Sequence, residues 1–134
     1  MLSPSSPPYA LAAPTFRFRA LASGAALLPK GGDRELALVT FVCARLAWDA
    51  VTDRTIAGEL SRIRGRACRG WIQGLSLPSP TKVAFFAVAD AIANDDRAQI
   101  AAAWDRAVLL AARVLDHQAR SELKEVSARI GESS

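Results

Sequence analysis

Apolar residues recur at steps of three and four along most of the chain after residue 33, which is the spacing of one helix face. This pattern predicts five helices, at residues 33–51, 54–69, 80–93, 96–115 and 117–130. They form one predicted helical domain, residues 33–131, followed by a short tail at 132–134. The fold class we predict is all-α, with about five helices in a small bundle or an orthogonal pack.

The last three predicted helices have the clearest start signals and apolar stripes. Ser79-Pro80 begins one helix, Asn94 closes it, Asp95 caps the next, and Asp116 caps the last, which ends at Gly131. We predict that their core-facing residues are Phe85, Val88, Ala89, Ile92, Ile100, Trp104, Ala107, Ala111, Val114, Ala119, Leu123, Val126 and Ile130.

The two N-terminal predicted helices differ from each other. Helix 33–51 is apolar around most of its circumference, so we expect it to be central in its domain or buried against a second protein. Helix 54–69 follows a Thr52-Asp53 cap and has one apolar stripe, predicted to face the core: Ile56, Leu60, Ile63 and Ala67. The glycines between Gly65 and Gly74 predict an irregular end to this helix.

Residues 1–32 contain five of the seven prolines and no acidic residue, and we predict that they form an extended or flexible arm. Their composition weakly resembles an organellar transit peptide. Within the arm, Phe16, Arg17, Phe18 and Arg19 alternate with a period of two, as a short strand would. Such a strand is suited to pairing with the edge of a partner's sheet.

The net charge of +4 is unevenly distributed. No acidic residue lies between Glu59 and Asp90, and helical spacing puts Arg62, Arg66 and Arg69 on one face. These arginines are suited to an acidic protein surface or to nucleic-acid phosphates, and they also fit a solvated face. Arginine greatly outnumbers lysine, which a GC-rich coding background would also produce.

Two cysteines and one histidine cannot make a disulfide framework or complete a zinc site of four Cys and His ligands. A helical hairpin turning near Thr52 would offset Cys43 from Cys68 by about 9 Å along the helices, so we predict buried free thiols in a reducing compartment.

His117 falls in the first turn of a helix with no positioned partner. The apolar run Leu36–Trp48 is too short to span a membrane.

These features favour a non-catalytic accessory subunit that docks into a multi-subunit protein assembly through its arm and its apolar first helix. Its predicted partner-binding residues are Phe16, Arg17, Phe18, Arg19, Arg62, Arg66 and Arg69. The alternative is a small helical nucleic-acid-binding protein that uses the arginine face. A helical enzyme with carboxylate or lysine chemistry is the least favoured class, because no catalytic set stands out. We expect no cofactor, metal or small-molecule substrate.

Overall fold

The computed structural model describes residues 18–53 and 55–132, and within these ranges the secondary structure is helical. Six α-helices follow in order: α1 (Arg19–Leu27), α2 (Gly32–Thr52), α3 (Glu59–Gln73), α4 (Ser79–Ala93), α5 (Arg97–Ala111) and α6 (His117–Glu132). A 3-10 turn, Ala112–Val114, joins α5 to α6. The all-α prediction is confirmed for the described residues, with six helices in place of about five.

Helix α2 lies at the centre of the molecule and contacts each of the other five helices. Its apolar residues point in nearly every direction, and the neighbouring helices of the same chain bury them. Leu36, Val39, Val42 and Leu46 are at most 3% exposed. Of the two positions expected from the sequence, central in the domain or buried against a second protein, the structure shows the central one. Helix α2 has no large apolar surface left for a second protein.

Helix α1 corrects the expectation of an irregular arm as far as residue 32. Leu21 and Ala25, four residues apart, are both buried against the domain. The helix ends at Leu27, and Leu28 adopts an extended conformation, as residues before a proline do. The sequence does not predict this helix, because its apolar stripe is short and the proline-rich composition of the whole arm is typical of an irregular segment. The remainder of the arm, residues 1–17, lies outside the described residues.

Helices α4, α5 and α6 lie close to their predicted positions, but α5 ends at Ala111, not at residue 115 as predicted, and the 3-10 turn follows it. The predicted stripes are buried, apart from the partly buried Val114 in that turn. The cap of α5 is one residue later than predicted, because the Asp96 carboxylate accepts the Gln99 N–H. Asp116 accepts the Ala119 N–H, as expected of a cap. Gly131 does not end α6, which continues to Glu132.

The predicted bounds of the second helix are wrong at both ends. The Asp53 carboxylate accepts hydrogen bonds from the Thr55 N–H and hydroxyl, which stabilises a turn in place of a helix start. The chain enters α3 only after Gly58, whose φ of 58° is a conformation that favours glycine. The helix then continues through Gly65 and Gly70, because packing offsets their low helix propensity.

Candidate protein-docking face on α3

Helix α3 turns its large aliphatic side chains outward. Of the four residues predicted to face the core, only Ile56, which precedes the helix, is buried. Leu60 is 43% exposed, Ile63 is 55% exposed, and Ala67 is exposed as well. The prediction of a core stripe at these positions in α3 is therefore wrong.

The side of α3 that faces the core consists mostly of small residues. The buried positions are Ser61, Gly65, Cys68, Trp71 and Ile72. At Gly65 a Cβ atom would lie 2.4 Å from the backbone nitrogen of Ala93 and 2.6 Å from the carbonyl oxygen of Ala89. Helix α4 therefore approaches the α3 backbone directly at Gly65, and no larger side chain fits at that position.

Arg62, Arg66 and Arg69 are exposed on α3, and Arg69 contacts α4. Arg62 pairs with Glu59 one turn away. Arg69 donates from Nη1 to the Asp90 carboxylate at 2.7 Å, and its guanidinium lies 4.3 Å from the centroid of the Phe86 ring. This contact fixes the orientation of Arg69. Within the described ranges, no acidic side chain reaches Arg66 at ion-pair distance.

The exposed side of α3 thus combines two parallel stripes, which we call the α3 outer face. One stripe is apolar (Leu60, Ile63 and Ala67) and the other is basic (Arg62, Arg66 and Arg69). Residues three and four apart are neighbours on a helix surface, so each stripe is continuous over two turns or more. This arrangement is able to hold a second helix that has apolar and acidic residues.

Arg64 points away from the α3 outer face, towards α2. Its Nη1 lies 3.2 Å from the Asp49 carboxylate, and both side chains are half-buried. Burial raises the pKa of Asp49, and the nearby Arg64 only partly offsets this effect. This ion pair attaches α3 to α2 and is part of the fold.

Of the predicted site residues of the arm, the structure describes Phe18 and Arg19, and these two do not lie together with the arginines of α3. Phe16 and Arg17 are outside the described residues. Phe18 is 2% exposed and packs edge-to-face on Phe41 and Trp48, at centroid distances of 6.2 and 6.1 Å. It belongs to this chain's own core, so the predicted strand does not extend to Phe18.

Arg19 begins α1 and is exposed. It borders a shallow hollow of about 400 Å³ between α1 and α6, together with Asp116 and Glu122. The hollow therefore has acidic groups of its own. Arg19 lies in this helix and not in the strand that the alternating pattern predicts.

Cys43 on α2 and Cys68 on α3 are buried free thiols, as predicted, with their sulfur atoms 3.9 Å apart. The predicted offset between them is wrong, because the chain turns near Thr55 and Ile56, not at Thr52. A hydrogen bond between the thiols, together with burial, raises the pKa of Cys43 well above its ordinary value. Cys43 is therefore protonated at neutral pH.

The described residues also form an apolar groove and include an exposed histidine, both away from α3. An apolar groove of about 300 Å³ lies between α5 and α6, lined by Val108, Leu109 and Leu123, with Lys124 at its margin. His117, at the start of α6, is exposed. In the described part of the chain, no three His, Cys, Asp or Glu residues are grouped so as to hold a metal ion.

None of the six described helices combines the length and the apolar character needed to cross a membrane. No protein-family model matches this chain, and no curated protein or solved structure is significantly similar to it.

Proposed function

We propose that this chain is a non-catalytic accessory subunit that docks onto another protein of a larger assembly through the α3 outer face. The observation that carries the proposal is the outward orientation of Leu60 and Ile63 beside three exposed arginines. Helix α2 has no part in this docking, because its apolar surface is buried within the chain. A contribution from residues 1–17 remains a prediction.

The apolar stripe supplies a reason for association. Exposed aliphatic side chains at helical spacing lose their contact with water when an apolar groove or a second helix covers them. Burying a fully exposed leucine or isoleucine contributes about 1.5–3 kcal/mol, and Leu60 and Ile63, which are about half exposed, would each contribute roughly half of this. Leu60 and Ile63 lie one turn apart, so a single partner helix is able to cover both.

The basic stripe indicates that the partner surface is acidic. Guanidinium groups offer forked donors that suit carboxylates, and they are spaced along α3 at intervals of four and three residues. Arg66 is exposed between Arg62 and Arg69, each of which has an acidic neighbour. We infer that the partner presents an amphipathic helix whose apolar stripe is flanked by Asp or Glu.

Nucleic-acid binding has weaker support. Glu59 and Asp90 already pair with two of the three arginines, which leaves Arg66 as the main attraction for an acidic ligand, and one arginine is a small contribution to binding a phosphate backbone. The aliphatic half of the α3 outer face also has no role in holding a phosphate backbone.

Site-specific photo-crosslinking in the source cell tests the proposal. A photoreactive amino acid replaces Ile63 in the full chain, and the matched control has it at Leu109, an even more exposed aliphatic position on α5. We expect a protein adduct at position 63 that is missing at position 109, and mass spectrometry identifies the crosslinked segment. The proposal requires this segment to be an acidic amphipathic helix.

Binding of the identified partner by purified variants then measures each stripe. We expect Ile63→Asp and Arg66→Glu each to weaken binding at least tenfold, which corresponds to about 1.4 kcal/mol, while Leu109→Asp leaves it unchanged. All three variants should unfold at nearly the same urea concentration as the natural chain, because the positions are exposed. The proposal is wrong if position 63 gives no adduct, crosslinks to nucleic acid, or crosslinks to a second copy of this chain.

A further inference from the structure

We propose that Cys43 and Cys68 are a site of reversible oxidation, at which a peroxide converts the two thiols into an intramolecular disulfide bond between α2 and α3. This inference does not depend on the proposed function. It starts from two thiols on different helices whose sulfur atoms are in contact at 3.9 Å.

No other disulfide bond is able to form within the molecule. Cys43 and Cys68 are the only two cysteines of the chain, and both are fully buried. A disulfide bond needs a sulfur separation of about 2.05 Å, so the atoms must close by about 2 Å. Closing this gap requires rotation about the two Cα–Cβ bonds and a small shift of α3.

A disulfide bond between Cys43 and Cys68 would restrain helix α3. This helix packs mainly on α4 and touches α2 over a smaller area, through the cysteine pair and the Arg64–Asp49 ion pair. A covalent bond between α2 and α3 therefore strengthens the weaker of the two contacts that hold α3 in place.

The chemistry balances with one peroxide molecule. During a transient opening, one thiol loses its proton to water, and the resulting thiolate attacks the O–O bond. This bond breaks to give a sulfenic acid and hydroxide, and the hydroxide takes up the released proton to become water. The second sulfur then attacks the sulfenic sulfur, the S–O bond breaks, and a second water leaves with the remaining thiol proton. Two thiols and hydrogen peroxide thus become one disulfide and two waters, and a thiol reductant reverses the change.

Burial sets the conditions for the reaction. Hydrogen peroxide is close to water in size and enters when α3 moves transiently away from α2. Because both sulfurs are enclosed, the sulfenic acid forms beside its reaction partner, and the disulfide competes well against further oxidation. We therefore expect slow oxidation with a single product.

The test uses the full chain, purified in reductant, transferred to buffer without it and treated with hydrogen peroxide. We expect a monomer whose mass falls by about 2 Da, with one peptide from α2 linked to one from α3. The oxidised chain should unfold about 5–15 °C above the reduced chain, and dithiothreitol should abolish the difference. Cys43→Ser and Cys68→Ser are matched controls, and neither should show the mass loss or the thermal shift.

Three results would overturn the proposal. The first is oxygen addition to the thiols without a link between them, and the second is a disulfide that forms only between chains. The third is an intramolecular disulfide that forms only in urea or lowers the unfolding temperature, since the folded geometry would then not accommodate the bond. The double variant Cys43→Ala/Cys68→Ala, compared before and after peroxide, separates the effect of the bond from other oxidation.

Discussion

Gly65 shows how a single residue sets the distance between two helices. Replacing it with alanine would place a methyl group against the backbone of Ala93 and Ala89, at 2.4–2.6 Å. Backbone atoms cannot move aside as a flexible side chain can, so α3 and α4 must separate. We expect Gly65→Ala to lower the free energy of unfolding by about 2–3 kcal/mol in urea titrations.

Gly70, on the same helix, supplies the control for that substitution. A Cβ atom there meets nothing within 4 Å. Because alanine favours the helix over glycine, Gly70→Ala should raise the free energy of unfolding by about 0.5–1 kcal/mol. Equal effects of the two substitutions would contradict the close approach of α3 and α4.

Asp49 should make part of the stability depend on pH. Burial holds its pKa above the usual value in the folded chain, so the folded state binds a proton more readily than the unfolded state. Stability contributed by this group therefore rises as the pH falls from about 6 towards about 4. In urea titrations across this range, the natural chain should gain stability relative to Asp49→Asn. The opposite slope would mean that the ion pair with Arg64 outweighs burial.

At the scale of the elements, the first turn of α1 depends on one carboxylate from a distant helix. Glu122 on α6 accepts the N–H groups of Ala20 and Leu21, at 3.4 and 2.9 Å. A carboxylate at a helix N-terminus both caps the free amides and complements the helix dipole. The side chain therefore fixes α1 to α6 as well as stabilising α1 itself.

Replacing Glu122 with alanine should cost about 1–2 kcal/mol of unfolding free energy. Hydrogen exchange at the amides of Ala20 and Leu21 should become at least fivefold faster, whereas amides in α4 should change less. Glu132→Ala is the control, because Glu132 is exposed and pairs only within α6 among the described residues. It should change the free energy by less than about 0.5 kcal/mol. Unchanged exchange at α1 would show that the cap does not hold this helix.

The helices differ in how far their sequences predict them. Helices α4, α5 and α6 each have a start signal and a stripe of large apolar residues, and both indicate the same structure. The apolar periodicity of α3 marks the side with the large aliphatic residues as the core side, whereas the close contact with α4 requires a glycine there, so the predicted inward face is wrong. The arginine stripe was predictable because charged residues remain outside. The aliphatic stripe beside it was missed, because no local pattern reveals that α4 occupies the opposite side.

Considered as a whole, the molecule is organised around α2, which every other helix contacts. Because its side chains are enclosed by their own chain, we expect the purified protein to unfold in one cooperative step without a partner. Trp48, Trp71 and Trp104 lie on α2, α3 and α5, so their fluorescence reports on three helices. In urea, fluorescence and far-ultraviolet circular dichroism should give the same midpoint. Two separate midpoints would show that a helix detaches before the core unfolds.

The close fit of α3 against α4 means that the two sides of α3 accept different numbers of substitutions. The inner side of α3 tolerates little variation, whereas substitutions on its outer side leave the interior untouched. Mutations could therefore change the exposed side chains of α3 while the scaffold stays intact. Grafting the outward residues of an unrelated binding helix onto α3 would be a direct way to give this scaffold a chosen binding specificity.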